Sequence, residues 1–572
     1  MGAARGAIAL LACLGVALSA RGSPGATDDA QAALVAAGQR IYRDGILPSG
    51  RALEGIAQAA QTRTGADAAC IACHRRSGYG SSEGRIEIRS ITGPSLFGTQ
   101  APRPMDVDGA PAASAADRSG ALRDARASAR DNRLALFAGR RQRPAYDAAT
   151  LAAAIRTGVD VTGRKLDAGM PRYALADDEL EALAAYLRTL SAHSSPGVTG
   201  EAVHFATVIL PDADPDRSRA MLEVMRAYFD DRNAGMRAES RREQAGAVRL
   251  GRRFREWVLH AWHLTGPAAT WPQQLEEYDR LQPAFALVGG MGESSWRPIH
   301  EFSERRGIPC IFPQTELPVA EDAGFYTVYL SKGIALEAQA LAKFLRDEGE
   351  RGPVLQVFGA QEASAAAAGA FRSAWEAAGG SRLEDLLLPA QPGESAWHHF
   401  DEAAARATLV LWLSPRDLSA AIARIGGRTQ AGRLYLSSTL LGGRASPGLR
   451  LPAGARLVYP QELPARRAER VRRVERWLAG RGIALADEKV QLDAYLAATV
   501  VAGVMSHAMD AFSREYLVER IEHMMGNGFE SSRYPRLSLG PGQRFASKGS
   551  YVVEPAGEAG AAPRPVGGWI VP

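Results

Sequence analysis

Cys70, Ile71, Ala72, Cys73 and His74 stand in the spacing C-x-x-C-H. Two thiols one turn apart can each form a thioether with a haem vinyl group, and a histidine directly after the second falls under the iron as an axial ligand. Three other chemistries compete for the same residues. A dithiol redox site prefers a βαβ neighbourhood, and the residues around position 70 show no such pattern. A zinc site needs more ligands, and the remaining cysteine beyond the leader, Cys310, is far along the chain. A plain disulfide leaves His74 unexplained. One covalent haem c uses all three residues.

The second face of such a haem asks for another ligand. Between residues 27 and 192 the methionines are Met105 and Met170; besides His74 the nearest histidine is His193. Met170 lies in a loop just before the last helical pattern of this part, where it can fold over the haem. Met105 lies in a low-complexity stretch. The competing reading of Met170 as a gap-filling core residue stays open. A His74/Met170 pair raises the reduction potential and leaves no open iron position, which favours electron transfer over oxygen or peroxide chemistry.

Elsewhere the chemistry-bearing residues are sparser. Ser294 and Ser295 follow a short apolar run and Gly289-Gly290, and they precede a helical pattern. Backbone amides at such a place can bind an anion, and a simple helix cap explains the same residues equally well. Trp257, Trp262, Trp271 and Trp296 suit either a cleft or a core. No nucleophile triad, phosphate loop or nucleotide fingerprint stands out, so the chain reads as a carrier or binding protein more than as an enzyme.

The elements that must position these residues follow from the rest of the chain. Its 572 residues are 46% hydrophobic and 23% charged, an ordinary globular composition for several domains. The net charge of +5 is small for this length, and no nucleic-acid partner is expected. Residues 1–20 read as an export signal: Arg5 supplies the positive start, Ala7 to Ala17 a short apolar run, and Leu18-Ser19-Ala20 the small residues for cleavage. That run is too short to span a membrane. Leu10-Leu11-Ala12-Cys13 resembles a lipoprotein box, but apolar residues continue beyond Cys13, so a lipid anchor there is the lesser alternative. Covalent haem and an export signal together point to a bacterial periplasm.

From Gln31 to Tyr42 the pattern is helical, with Leu34, Gly38, Ile41 and Tyr42 on one face. Ile91 to Leu96 reads as a tight turn, 101–135 as an inserted surface loop, and Tyr146 to Gly158 as a short helix. Asp177 to Leu190 is an amphipathic helix with an acidic start. Residues 193–201 form a linker by composition. After them short apolar runs alternate with helices: strands at 204–210, 257–264, 285–288, 308–312, 354–358, 409–413, 434–436 and 456–459. Repeated strand–helix units predict parallel sheets with helices on both faces, and the length predicts two lobes.

Residues 31–192, within a domain spanning 27–192, resemble a class I cytochrome c. Gly38 and Tyr42 match the family's N-terminal helix. Leu183 and Tyr186 match the helix that it crosses, Gly93-Pro94 its turn, and Met170-Pro171 its distal loop. The resemblance implies an all-α domain with Cys70 and Cys73 holding haem, His74 and Met170 on the iron, and the Pro94 carbonyl accepting a hydrogen bond from His74.

Residues 202–555 resemble a type I periplasmic solute-binding protein of the branched-chain amino-acid kind. Phe285 to Gly290 with Ser294-Ser295, Arg306 to Pro313, and Phe545 to Val553 carry that resemblance. It implies a two-lobed α/β fold, a ligand pocket at Gly289, Gly290, Ser294, Ser295, Gln314, Thr315 and Tyr329, and a C-terminal tail over 556–572. One departure is plain. The first loop reads Pro211-Asp212-Ala213-Asp214-Pro215-Asp216 where the family has Gly and Ser, and no acidic partner for an amino-acid ammonium stands out. A small solute other than an amino acid is therefore expected.

The function that follows is a periplasmic haem c electron-transfer protein. Its solute-binding-like module senses a small molecule or docks a redox partner such as a periplasmic dehydrogenase. The alternative is a substrate-binding receptor of an ABC-type transporter with an accessory haem domain.

Overall fold

A computed structural model describes residues 24–57, 61–83, 86–98, 144–244, 255–321, 324–389, 391–404, 406–425, 433–442, 451–508, 512–526, 528–531, 533–555 and 562–572. The export signal, Cys13, Met105 and the 101–135 insertion lie outside the described residues. The chain divides into two compact units, residues 1–192 and 193–572.

In the first unit the helix Pro24–Asp44 crosses the helix Asp177–Thr189. Gly38 sits at the crossing. A Cβ there would stand 1.9 Å from the Ala182 carbonyl oxygen and 2.9 Å from the Tyr186 Cβ. The Tyr42 and Tyr186 rings meet with centroids 5.3 Å apart. Ile41, Tyr42, Leu47, Leu53, Leu151, Leu183 and Leu187 share one buried cluster, against which Cys70 and Ile71 pack. Asp177, Asp178 and Glu179 load the start of the second helix with the charge its dipole favours, and Glu179 accepts from the Ala176 N–H at 2.8 Å. Gly38→Ala places a methyl against backbone, which cannot rotate away. It is expected to cost about 1–3 kcal/mol, as overpacking does, read as a lower guanidinium midpoint for the first unit at the haem band.

The expectation of an all-α unit is corrected. Strands β1 (Glu54–Ile56) and β2 (Thr62–Thr64) pair antiparallel, as do β3 (Ser81–Glu83) and β4 (Ile86–Ile88), and β5 (Arg172–Tyr173) joins the other edge of β1. Strands of two or three residues are too short to show alternation, so periodicity does not reveal them.

The second unit carries two sheets. β6 (Ala202–Ile209), β7 (Glu256–His263), β8 (Ala286–Val288), β9 (Cys310–Ile311) and β10 (Thr327–Val328) are parallel, in the order β10-β9-β8-β6-β7. The second sheet is built from β11 (Val354–Gly359), β12 (Leu383–Leu388), β13 (Thr408–Trp412), β14 (Leu434–Ser437), β15 (Ala455–Tyr459), β16 (Tyr551–Glu554) and β17 (Arg564–Pro565). Its order is β12-β11-β13-β14-β15-β16-β17, and β16 pairs antiparallel with both of its neighbours, β15 and β17. In each sheet the first strand lies between the second and the third, so the order reverses there. That is the switch point at which doubly wound sheets open a crevice beyond the carboxyl ends of their strands.

The helices Glu488–Ala508 and Arg514–Gly526 return to the first sheet and complete its core. Val490, Val501 and Ile521 are buried there with Val203, Phe205 and Phe229. Trp257, Trp262, Trp271 and Trp296 are all buried, which places them in the core. Among the described residues no helix is long and apolar enough to cross a membrane.

The linker 193–201 is held to the second unit: the Ser195 N–H donates to the Phe512 carbonyl at 2.8 Å and the His204 N–H to the Gly197 carbonyl at 2.8 Å. Gly197, at φ +85°, lies so close that a Cβ would stand 2.1 Å from the Phe285 nitrogen. Small residues that read as flexible are here what permits close approach. Of the 556–572 tail, the described residues 562–572 pair with the second sheet. Ser550 and Ile570 exchange both backbone hydrogen bonds, and the Trp569 ring meets Tyr551 at 4.9 Å.

Candidate functional site

The C-x-x-C-H motif folds as one turn, the helix Ile71–His74. The His74 N–H donates to the Cys70 carbonyl at 2.9 Å and the Arg75 N–H to Ile71 at 3.0 Å. Arg75 then takes the left-handed region at φ 65°, and the Tyr42 hydroxyl donates to its carbonyl at 2.7 Å. The motif is thus fastened to the N-terminal helix. Cys70 and Cys73 form no disulfide, which leaves both sulfurs available for thioethers.

His74 Nδ1 lies 2.9 Å from the Arg89 carbonyl. A carbonyl only accepts, so Nδ1 carries the hydrogen and Nε2 keeps its lone pair. This is the arrangement by which a backbone oxygen orients a metal-binding imidazole. Burial lowers the His74 pKa and favours the neutral ring that such a bond needs. The expectation that Pro94 supplies this carbonyl is corrected. Pro94 stands at the start of the helix Gly93–Phe97, and its carbonyl accepts from the Gly98 N–H at 3.2 Å. Two free thiols and an oriented imidazole in one turn fit a covalent haem c.

The loop carrying Met170 is tied down on both sides. The Met170 N–H donates to the Asp167 carbonyl at 3.2 Å, and the Arg172 guanidinium donates to the carbonyls of Met170 and, at 3.2 Å, of Asp167. Tyr173 donates its hydroxyl to the Ala68 carbonyl at 2.8 Å. Its pKa is raised by burial and by the nearby Cys70 and Cys73. The methionine loop therefore hangs from the chain two residues before Cys70. Sequence reasoning overlooked Arg172 and Tyr173; the signal was an arginine and an aromatic directly after Met170-Pro171.

In the second unit, Gly289 and Gly290 follow β8 at φ +64° and +105°, which only glycine adopts without strain. A Cβ on Gly290 would come within 2.8 Å of the Trp296 ring. Gln314 joins them, its N–H donating to the Gly290 carbonyl at 2.8 Å and its amide to Val490 O at 3.0 Å. Thr315 accepts from the Leu317 N–H at 3.0 Å and shapes the following turn. Tyr329 does not belong with them. It is 1% exposed, bonded to His300 at 3.0 Å and stacked on Phe545. Its place in the pocket is corrected to the core, where an apolar ring with one satisfied hydroxyl is stable.

The donors around Ser294 and Ser295 meet carboxylates of the chain itself. Asp212, from the loop after β6, takes the Glu293 N–H at 3.0 Å, the Ser294 N–H at 2.8 Å and the Ser294 hydroxyl. Glu362, which opens the helix after β11, accepts from the Ser295 N–H at 3.3 Å. This last bond joins the loop after β8 to the start of the second lobe's first helix, so the carboxyl ends of the two sheets face each other. At the end of β14 the Ser437, Ser438 and Thr439 hydroxyls donate to Glu337, whose pKa burial pushes up to about 7. Asp212, Glu362 and Glu337 escaped sequence reasoning as partners; the acidic first loop was the visible sign of the first.

A family model described as Cytochrome c matches residues 59–191. The first unit therefore contains a cytochrome c domain, a kind of domain that implies covalently bound haem c and electron transfer. No curated protein matches the chain in sequence. Among solved structures the chain is similar to a branched-chain amino-acid ABC transporter protein from Thermus thermophilus with bound valine (12% identity, 65% of this chain and 97% of that one, TM-score 0.48). It is also similar to a putative branched-chain amino-acid ABC transporter protein from Rhodospirillum rubrum (17%, 64% and 100%, 0.46). A third is a fatty acid ABC transporter substrate-binding protein from Thermomonospora curvata (16%, 66% and 95%, 0.46). The chain as a whole joins a unit that matches the cytochrome c model over residues 59–191 to a second unit built on two sheets.

Proposed function

We propose that the protein is a periplasmic electron carrier with one haem c, held within residues 27–192, and that its second module senses a small molecule or docks the redox partner. The observation that carries the reading is the turn Cys70 to His74, with free thiols and an imidazole whose Nδ1 is held by the Arg89 carbonyl. The sequence holds one C-x-x-C-H, hence one haem. When bound, haem supplies a one-electron couple. The chain's own residues would set its surroundings: His74 and Met170 would hold the iron, and Tyr42 and Tyr173 fix the segments that bear them. A filled coordination sphere passes electrons and gives oxygen or peroxide no place to react, which supports a carrier over a catalyst. The partner would be a protein, with a periplasmic dehydrogenase a fitting donor.

Rapid mixing of the reduced protein tests this. Fast second-order electron exchange with a small soluble cytochrome c, and no spectral change on a seconds timescale with carbon monoxide, is expected. Fast carbon monoxide binding would mean an open iron position and overturn the carrier reading. Tight solute binding without electron exchange would favour the transport-receptor alternative.

A further inference from the structure

Three consecutive N–H groups, of Glu293, Ser294 and Ser295, form the wall of the first lobe's switch-point loop, and each donates to a carboxylate of this chain. Asp212 is bound as a free carboxylic acid would be. Its Oδ1 takes one amide and its Oδ2 takes the next amide and the Ser294 hydroxyl, across 81 and 82 residues of sequence. The following Trp296 N–H is used by the Leu317 carbonyl at 3.1 Å, and the Arg297 N–H by the Ser295 hydroxyl at 3.4 Å. The backbone N–H groups from Glu293 to Arg297 are thus all spent. A solute carboxylate would have to expel Asp212 and then lie beside it, with Glu293 on the same loop and Glu362 reaching that loop from the start of the helix after β11, and like charges at short range repel. Bidentate amide–carboxylate bonds are charge-assisted and are not given up for an equal replacement.

We infer that Asp212 acts as a built-in occupant of the carboxylate position, so that the cleft admits solutes lacking a free carboxylate and excludes amino acids and organic acids. The inference rests on the solute-binding reading of the second module and assigns its ligand class. Polar solutes without a carboxylate, such as alcohols or amines, meet acceptors at this wall, from Asp212 and Glu362, where an acid meets repulsion. The acidic first loop has its reason here: an aspartate at 212 reaches the amides that a glycine or serine would leave open.

The test uses the full-length, haem-loaded protein and solutes matched in skeleton: isovalerate, leucine, 3-methylbutanol and 3-methylbutylamine, then benzoate and benzyl alcohol. Melting of the second unit is followed by tryptophan fluorescence. The wild type is expected to show no concentration-dependent shift with the acids. Asp212→Ala is expected to gain one, with apparent affinity for an acid at least tenfold tighter than the wild type's. Asp212→Asn keeps the side-chain volume should the alanine variant lose its fold, and is expected to move the same way. A wild type stabilised by an acid, with an affinity neither variant changes, overturns the inference and leaves the solute-binding reading standing. Folded variants that gain no acid binding, beside a wild type that binds an alcohol or amine, do the same. If no solute of either kind shifts any of the three proteins, both readings fall.

Discussion

Replacing Cys70 and Cys73 together with alanine is expected to yield protein that carries no covalent haem and whose first unit is unfolded. The two thiols are the residues through which thioethers form. Both are free, and Cys70 packs against the cluster of Ile41, Tyr42, Leu53, Leu96 and Leu183. Without the cofactor that cluster would lose the apolar surface that a bound haem would bury against it. A unit of this size has little apolar surface to spare, and a bound cofactor's affinity is part of its folding free energy. The second unit is expected to keep its fold, because its own clusters are built from residues 198 onward. Haem staining after denaturation measures attachment, and hydrogen exchange over 31–192 against 202–555 measures folding. Haem surviving acid–solvent extraction in the double variant would sink the assignment. Protection of 31–192 at wild-type levels would show that the unit folds without its cofactor.

Met170→Ala is expected to remove the weak far-red absorption of a sulfur–iron bond and to lower the reduction potential by on the order of 0.1 V. That is a fraction of the roughly 0.8 V over which axial ligands set haem potentials. A thioether stabilises the ferrous state, so its loss moves the potential down. The geometry supports Met170: Tyr173, three residues on, is bonded to Ala68 beside the cysteines, and Arg172 holds the methionine's own carbonyl. Met105→Ala is the control, since Met105 is the other methionine between residues 27 and 192. If the band survives Met170→Ala and vanishes with Met105→Ala, Met105 is the ligand. The open position left by Met170→Ala is also expected to bind carbon monoxide quickly.

Most helices and the longer strands were legible in the sequence because their signal is local. The helix expected over 177–190 is Asp177–Thr189, and the strand expected over 204–210 is Ala202–Ile209. The helix Glu488–Ala508 was not read. It is apolar nearly all round, with Val490, Leu492, Ala494, Ala497, Val500 and Val501 buried, and a helix covered on every side shows no amphipathic stripe. The contacts of the linker and tail are not legible in the sequence for a related reason. Ser195, Gly197 and Trp569 are polar or isolated in sequence, and their partners Phe512, Phe285 and Tyr551 lie far from them along the chain.

What the sequence by itself determined is the chemistry that needs a short span: C-x-x-C-H and its haem, the Gly38 and Tyr42 face that meets Leu183 and Tyr186, and the alternation of strand and helix after residue 202. What only the tertiary structure decided is which acceptor each donor meets. His74 is oriented by Arg89 and not by Pro94, Tyr329 is core and not pocket, and Asp212 occupies the amides of Glu293 and Ser294. The reason is physical. Thioether spacing and helical period are set by bonds and dihedrals a few residues long. A buried or cleft-lining N–H must find some acceptor, and which one depends on how segments dozens of residues apart are brought together by packing.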